Sequence, residues 1–357
     1  MSNTKVFVFA PADKEGKTYK MLEDLGCVLA FGKASWETPQ GDNETQMTLM
    51  ARDADALIGT SIRSTPITSK VMGGSKDLRI VAKYTIGVDD VDVDAATELG
   101  ILVTHAPVES NWGGVAEGTV AMMLAILKKT REKTETMKVG RWRDEVLASI
   151  YVGSRASDGY PGITIGIVGL GRVGGRFADL LRPWNVRILA YDPYIPKSKF
   201  KAHGAQAVDD LSVLLRESDV VSLHPILNKE TRHMIGAAEL ALMKPSAVLI
   251  NTSRGPVVDE KALVDALEKG AIKAAALDVF EEEPLPAGNP LRQLGNKVLL
   301  SPHMVASEAG GSGLGLGIQW ATDSVISALK GEVPEHVFNK EAIPKWLERF
   351  SGKSLLE

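Results

Sequence analysis

One stretch constrains this chain more than any other. An apolar run at 163–168 leads into Gly169-Leu-Gly171-Arg-Val-Gly174, and a helical pattern follows at once. Glycines at this spacing let a strand turn tightly into a helix and let the two pack closely. The helix then starts with unpaired N–H groups and the positive end of its dipole, which suits a phosphate. Three spaced glycines are weak evidence in a chain that holds 34 of them, so the surrounding pattern carries the weight. Short runs rich in β-branched residues recur at 163–168, 187–191, 220–223, 247–251, 274–277 and 298–300, with helical or polar stretches between them. Strand and helix in alternation predict a parallel sheet covered on both faces, and six strands make a doubly wound nucleotide-binding sheet.

The first hundred residues repeat the alternation on a smaller scale, with runs at 6–10, 28–31, 56–58, 80–82 and 102–104. The insert at 34–45, holding Trp36, Pro39, Gly41 and Asp42, reads as a surface loop. The longest helical pattern covers 117–138, behind the turn-type residues Asn111, Gly113 and Gly114, and 141–162 reads as an irregular crossing segment. Beyond 305 the chain turns glycine-rich and makes one more helix over 319–329, which completes nothing in the second block. The predicted fold is therefore two Rossmann-like, doubly wound α/β domains. A discontinuous, flavodoxin-like substrate domain takes 1–110 and 306–335, a cofactor domain is inserted at 111–305, and 336–357 is a tail.

Composition narrows the function. At 44% apolar and 24% charged, with a net charge of -4 and no basic run, the chain has no face suited to nucleic acid. Its one cysteine, Cys27, excludes an intrachain disulfide framework and a cysteine-based zinc cluster, and no metal is expected. The amino terminus turns polar too early for a signal peptide, and no run reaches the ~20 apolar residues of a membrane span. A cytoplasmic protein is expected.

Asp192 ends the run at 187–191 and lies 18 residues after Gly174. An acid there accepts from both hydroxyls of an adenosine ribose and repels a 2'-phosphate, so the expected cofactor is NAD, the more so because 193–196 hold no Arg or Lys. In an open parallel sheet, ligands bind beyond the carboxyl ends of the strands. Past those ends stand Thr252, Ser253 and Arg254, then Asp278 with Glu281, Glu282 and Glu283, then Ser301, Pro302 and His303. Reduction of a 2-oxo acid needs a cation for the carboxylate and an acid for the new oxygen. A guanidinium binds a carboxylate through two parallel hydrogen bonds, which suits Arg254. An imidazole titrates near neutrality and suits His303, and a carboxylate beside it would orient it, which suits one of the three glutamates.

Four stretches, Gly169 to Gly174, Asn251-Thr-Ser-Arg-Gly-Pro-Val-Val-Asp-Glu260, Ala276-Leu-Asp-Val-Phe-Glu-Glu-Glu-Pro284 and Ser301-Pro-His303, resemble the NAD-dependent D-isomer-specific 2-hydroxyacid dehydrogenases, which include phosphoglycerate dehydrogenase and glyoxylate and hydroxypyruvate reductases. The resemblance extends to Tyr84-Thr-Ile-Gly-Val-Asp-Asp-Val-Asp92 and Val115-Ala-Glu117. It implies catalytic Arg254, Glu283 and His303. It implies cofactor contacts from Gly169, Gly171, Arg172, Val173, Gly174, Asp192, Thr252, Ser253 and Asp278. It also implies a substrate loop of Tyr84, Thr85, Ile86 and Gly87, with Ile86 and Gly87 giving backbone N–H groups to the substrate carboxylate, and a homodimer. Lys83 and Arg63 stand near that loop as candidate ligands for a phosphate or second carboxylate.

The glycines at 310–317 depart from the family pattern and imply a longer loop, a close backbone approach or a roomier pocket. Two rival readings share the resemblance. One is an NAD-sensing, corepressor-like binding protein on the same fold. The other is a phosphite- or formate-type dehydrogenase, although a formate enzyme is expected to carry glutamine in place of Glu283.

Overall fold

The runs in the first hundred residues form five parallel strands: β1 (Lys5–Ala10), β2 (Val28–Phe31), β3 (Ala56–Gly59), β4 (Ile80–Lys83) and β5 (Leu102–Thr104), in the order β2-β1-β3-β4-β5. Because side chains alternate along a strand, Val6, Val8, Ile58, Ile80 and Ala82 enter one core while Phe7, Phe9, Leu57 and Val81 enter another. This computed structural model describes residues 4–34, 41–60, 66–306 and 314–356. Trp36, Pro39 and Arg63 lie outside them, as does 310–313 of the glycine-rich segment. By its contacts the chain divides into two units, Met1–Asn111 with Ser307–Glu357, and Trp112–Ala306.

The second unit holds seven parallel strands, one more than the sequence predicts: β6 (Thr164–Val168), β7 (Arg187–Tyr191), β8 (Gln206–Ala207), β9 (Val220–Leu223), β10 (Val248–Asn251), β11 (Ala274–Leu277) and β12 (Val298–Leu300). The added β8 is only two residues long, too short to leave an alternation pattern. The order β12-β11-β10-β9-β6-β7-β8 reverses direction between β6 and β9, which is where such sheets bind ligands.

Four expectations are corrected. The long helix starts earlier, at Glu109, and breaks at Lys129 (φ 53°) into Glu109–Leu127 and Thr130–Lys138. Gly113 and Gly114, expected as turn residues ahead of the helix, lie within it, and the chain at Val305 and Ala306 passes close to Gly114 and Gly118. A Cβ at Gly118 would lie 2.1 Å from Val305 Cγ2, and one at Gly114 would lie 3.2 Å from the Ala306 carbonyl. In the insert, Asp42 is buried and accepts from Lys33 N–H at 2.7 Å, and a helix begins at Glu44.

The last helix spans Gly315–Leu329, and Gly317 belongs there for close approach: a Cβ would sit 2.3 Å from the Tyr84 carbonyl. The residues after 335 are no loose tail. They close the open edge of β5, with Val103 N–H donating to Asn339 Oδ1 at 2.7 Å and Phe338 N–H to the Val103 carbonyl at 2.7 Å. The helix Ile343–Phe350 buries Trp346, whose Nε1–H donates to the Arg79 carbonyl at 2.9 Å. Cys27 is a buried small side chain whose thiol burial pushes up to about 11.

Candidate active site

The glycine turn comes first along the chain. Gly169 closes β6 at φ 86°, a conformation open to glycine, and its N–H donates to the Tyr191 carbonyl of β7 at 2.9 Å. A Cβ at Gly174 would lie 2.1 Å from the Gly169 carbonyl, so any larger residue would push the helix Arg172–Leu181 off the strand. A Cβ at Gly171 would meet nothing within 4 Å. Gly171 also caps that helix without a side-chain bond, so the first-turn N–H groups of Arg172 and Val173 have no capping oxygen from it.

Asp192, past β7, accepts from Leu170 N–H at 2.9 Å and Tyr194 N–H at 3.0 Å, one bond to each carboxylate oxygen. Each oxygen keeps lone-pair capacity for a ribose hydroxyl. Open space over Gly171, an anion-ready helix start and a fixed carboxylate together fit a dinucleotide.

The other candidates cluster beyond β10, β11 and β12. Asn251 ends β10 and its side chain builds the next turn. Its Oδ1 accepts from Ser253 N–H at 3.0 Å and Ser253 Oγ at 2.8 Å, and its Nδ2 donates to the Arg254 carbonyl at 2.9 Å. Arg254 is half-buried, with Nη1 donating to the Ser253 carbonyl at 2.7 Å. Thr119 Oγ1 donates to the Val115 carbonyl at 2.7 Å, so in its 2.9 Å bond with Thr252 Oγ1 it is Thr252 that donates. Gly255 is glycine for want of room: a Cβ would lie 1.9 Å from the backbone of Phe280. The turn carrying Arg254 thus rests directly on the segment that leads to Glu283.

Of the three glutamates, Glu283 reaches His303, with Oε2 2.9 Å from His303 Nδ1. Its Oε1 accepts from Phe280 N–H at 2.9 Å, which pins the carboxylate. A carboxylate accepts, so Nδ1 carries the hydrogen and Nε2 is left to give or take a proton. His303 sits at φ 55°, uncommon for a residue with a side chain, and its N–H donates to the Asp278 carbonyl at 2.8 Å. Asp278 is buried and accepts from Met304 N–H at 2.9 Å and Val305 N–H at 3.2 Å. Burial pushes its carboxyl up from the ordinary range, against the Ser301 hydroxyl, His303 and those N–H groups.

Glu281 turns elsewhere, to His233 Nε2 at 2.6 Å, a histidine to which its sequence surroundings assign no role. His224, past β9, has an unpartnered buried Nδ1, its Nε2 lies 2.9 Å from Ser222 Oγ, and burial lowers its pKa to about 3.

The loop after β4, in the first unit, divides the remaining candidates. The Tyr84 ring is buried and its N–H donates to the Gly59 carbonyl at 3.0 Å, so its side chain serves the core and not a ligand. Thr85 Oγ1 donates to the Gly87 carbonyl at 3.1 Å, Ala106 N–H to the Thr85 carbonyl at 2.9 Å, and the Ile86 carbonyl lies 3.2 Å from His105 Nδ1. Lys83 is no anion ligand. Its ammonium is buried against Asp90 and donates to the Thr60 carbonyl at 3.0 Å.

Among the described residues no group of three or more His, Cys, Asp or Glu could hold a metal ion. No described helix is long and apolar enough to cross a membrane.

Residues 120–305 match the family model for the NAD-binding domain of D-isomer-specific 2-hydroxyacid dehydrogenases. The chain belongs to that family. Family members are NAD-dependent oxidoreductases, and the second unit is the NAD-binding domain of this one. The chain is similar to a D-3-phosphoglycerate dehydrogenase of Methanocaldococcus jannaschii, at 36% identity over 342 residues, covering 96% of this chain but only 60% of that protein. It is equally similar to a glyoxylate reductase of Thermofilum pendens, at 36% identity over 351 residues, covering 96% of both. A crystal structure of a glyoxylate reductase from Paecilomyes thermophila superimposes with a TM-score of 0.78 at 26% identity, covering 95% of this chain and 99% of that one.

Asn251, Gly255 and Thr119 escape a reading based on residue chemistry, because each acts by holding a neighbour. A polar residue ending an apolar strand was the available signal for Asn251.

Proposed function

We propose that this dehydrogenase interconverts a small D-2-hydroxy acid and its 2-oxo acid, with Arg254, Glu283 and His303 as its catalytic residues. When bound, NAD supplies or accepts the hydride. Gly169, Gly171, Gly174 and the N–H groups of Arg172 and Val173 would cradle its pyrophosphate, and Asp192 its adenosine ribose. Asp278, Thr252 and Ser253 would flank its nicotinamide end. Arg254 anchors the carboxylate of the acid. His303 Nε2 donates a proton to the carbonyl oxygen in reduction and takes it back in oxidation. Glu283 holds Nδ1–H and offsets the positive charge on the ring while it is protonated. The N–H groups of Ile86 and Gly87 give the acid a second set of donors.

The observation that carries the reading is the 2.9 Å bond between His303 and Glu283 on the same sheet edge as Arg254. The test follows NADH absorbance with glyoxylate, hydroxypyruvate, its 3-phosphate, pyruvate and bulkier branched or aryl 2-oxo acids. Rapid turnover of one class, lost in Arg254→Ala, is expected. Tight NADH binding without turnover of any of them would overturn the reading.

The unit 1–111 with 307–357 is proposed as the substrate domain. A cytoplasmic homodimer is also proposed. Met137, Val139, Trp142 and Val146 are exposed, and the helix Thr130–Lys138 buries none of its residues, an apolar face suited to a second copy. Trp142→Glu should turn the dimer into a monomer in sedimentation, and a wild-type monomer would refute it.

A further inference from the structure

A trans peptide is planar, so its carbonyl and its N–H point in opposite directions, and holding one aims the other. Two successive peptides of the 84–87 loop are held in this way by their carbonyls. The Thr85 carbonyl accepts from Ala106 N–H at 2.9 Å, which sets the direction of Ile86 N–H. The Ile86 carbonyl lies 3.2 Å from His105 Nδ1, and this sets the direction of Gly87 N–H. A carbonyl can only accept, so the His105 hydrogen resides on Nδ1.

The imidazole is itself fixed. His105 N–H donates to the His336 carbonyl at 3.2 Å, and the Phe338 ring meets the imidazole edge-on, centroids 5.5 Å apart at 75°. Both supports come from the segment that closes the edge of β5.

We propose that His105 is a positioning residue for substrate binding: by holding the Ile86–Gly87 peptide it aims the Gly87 N–H at the carboxylate of the 2-oxo acid. The inference rests on the function proposed above and adds a residue to it. One of the two anchors is the backbone N–H of Ala106, and the other is a side chain that a single conservative substitution deletes.

The test compares three variants with wild type in NADH-linked reduction of the best 2-oxo acid. Oxamate, an unreactive analogue, is titrated alongside into each enzyme–NADH complex. His105→Phe keeps the ring contact with Phe338 but has no N–H. His105→Asn carries a donor nitrogen where Nδ1 stood, and His105→Gln carries one where Nε2 stood. His105→Phe should raise KM and the oxamate Kd about tenfold, the scale of one hydrogen bond to a charged group's binding site. Its kcat should stay within about threefold and its NADH affinity should hold, as loss of ground-state binding requires. His105→Asn should restore most of the affinity, and His105→Gln should not.

An unchanged KM in His105→Phe would overturn the proposal, as would Asn failing as badly as Phe. A fall in melting temperature with KM intact would make His105 a packing residue only. A wild-type enzyme that turns over no 2-oxo acid and binds no oxamate would remove the parent reading and this inference together, whereas active wild type with an indifferent His105→Phe removes this inference alone.

Discussion

Two acid–base pairs in this chain are built from the same kind of contact and placed for opposite ends. Lys83 and Asp90 flank the 84–87 loop in the first unit, with side chains 0% and 1% exposed. His303 and Glu283 lie past the strand ends of the second unit, with side chains 41% and 16% exposed. Lys83 can meet no ligand. Its ammonium is spent on Asp90 and the Thr60 carbonyl, with the Phe9 ring 4.9 Å away. Burial lowers its pKa, opposed by the charge of Asp90. Among the described residues His303 is held through Nδ1 by Glu283, and its side chain remains partly exposed. A pair closed on all sides serves the fold, and a pair open on one side can serve chemistry.

The largest effect expected from breaking the contrast is on rate. His303→Ala should lower the turnover of 2-oxo acid by about 10²–10⁴, the usual worth of a general acid, while its urea-unfolding midpoint stays close to wild type. A drop in stability with rate preserved would reverse the roles of the two pairs.

Lys83→Met should do the opposite. It leaves Asp90 charged and buried, at a cost of about 3–5 kcal/mol in unfolding free energy by denaturant titration. The double change Lys83→Met with Asp90→Leu should recover much of that loss, since two apolar residues leave no charge behind. A double variant no better than the single one would mean that the pair holds the loop by geometry and not by charge balance.

The smallest effect sharpens the comparison with a third group, the half-buried His224, whose Nδ1 is buried. Its folded pKa of about 3 lies below the unfolded value near 6.5, so between those limits the unfolded chain binds more protons. Stability from this group is complete above about pH 6.5 and is lost as pH falls toward 3. His224→Gln, which keeps a partner for Ser222 Oγ, should flatten the acid limb of the stability curve by up to about one proton. An unchanged slope would show that other groups carry acid unfolding.

The contrast also explains what the sequence could tell. Buried parallel strands are continuous apolar runs, so eleven of the strands announce themselves and only the two-residue β8 does not. Arg254, Asp278 and His303 are legible because parallel topology sends everything after a strand to one edge, and the family resemblance singles out Glu283 from its neighbours. Lys83 misleads because charge suggests exposure, and its partner Asp90 is seven residues away across a loop. The carboxyl-terminal segment misleads because its partners are distant: Asn339 meets Val103 and Ile101 across more than 230 residues. Local pattern holds no record of such a pairing. Gly255 and Gly317 stand in plain view, but what each makes room for is fixed only once the chain has folded.

The most direct test of the central claim is the pH dependence of both directions of the reaction, measured with one 2-hydroxy acid and its 2-oxo acid. Proton transfer at His303 Nε2 predicts that kcat/KM for reduction falls as pH rises, while kcat/KM for oxidation rises over the same range. Both dependences should vanish in His303→Ala. Profiles that run parallel in the two directions, or an opposed pair that survives the substitution, would contradict the assignment of His303 as the proton carrier.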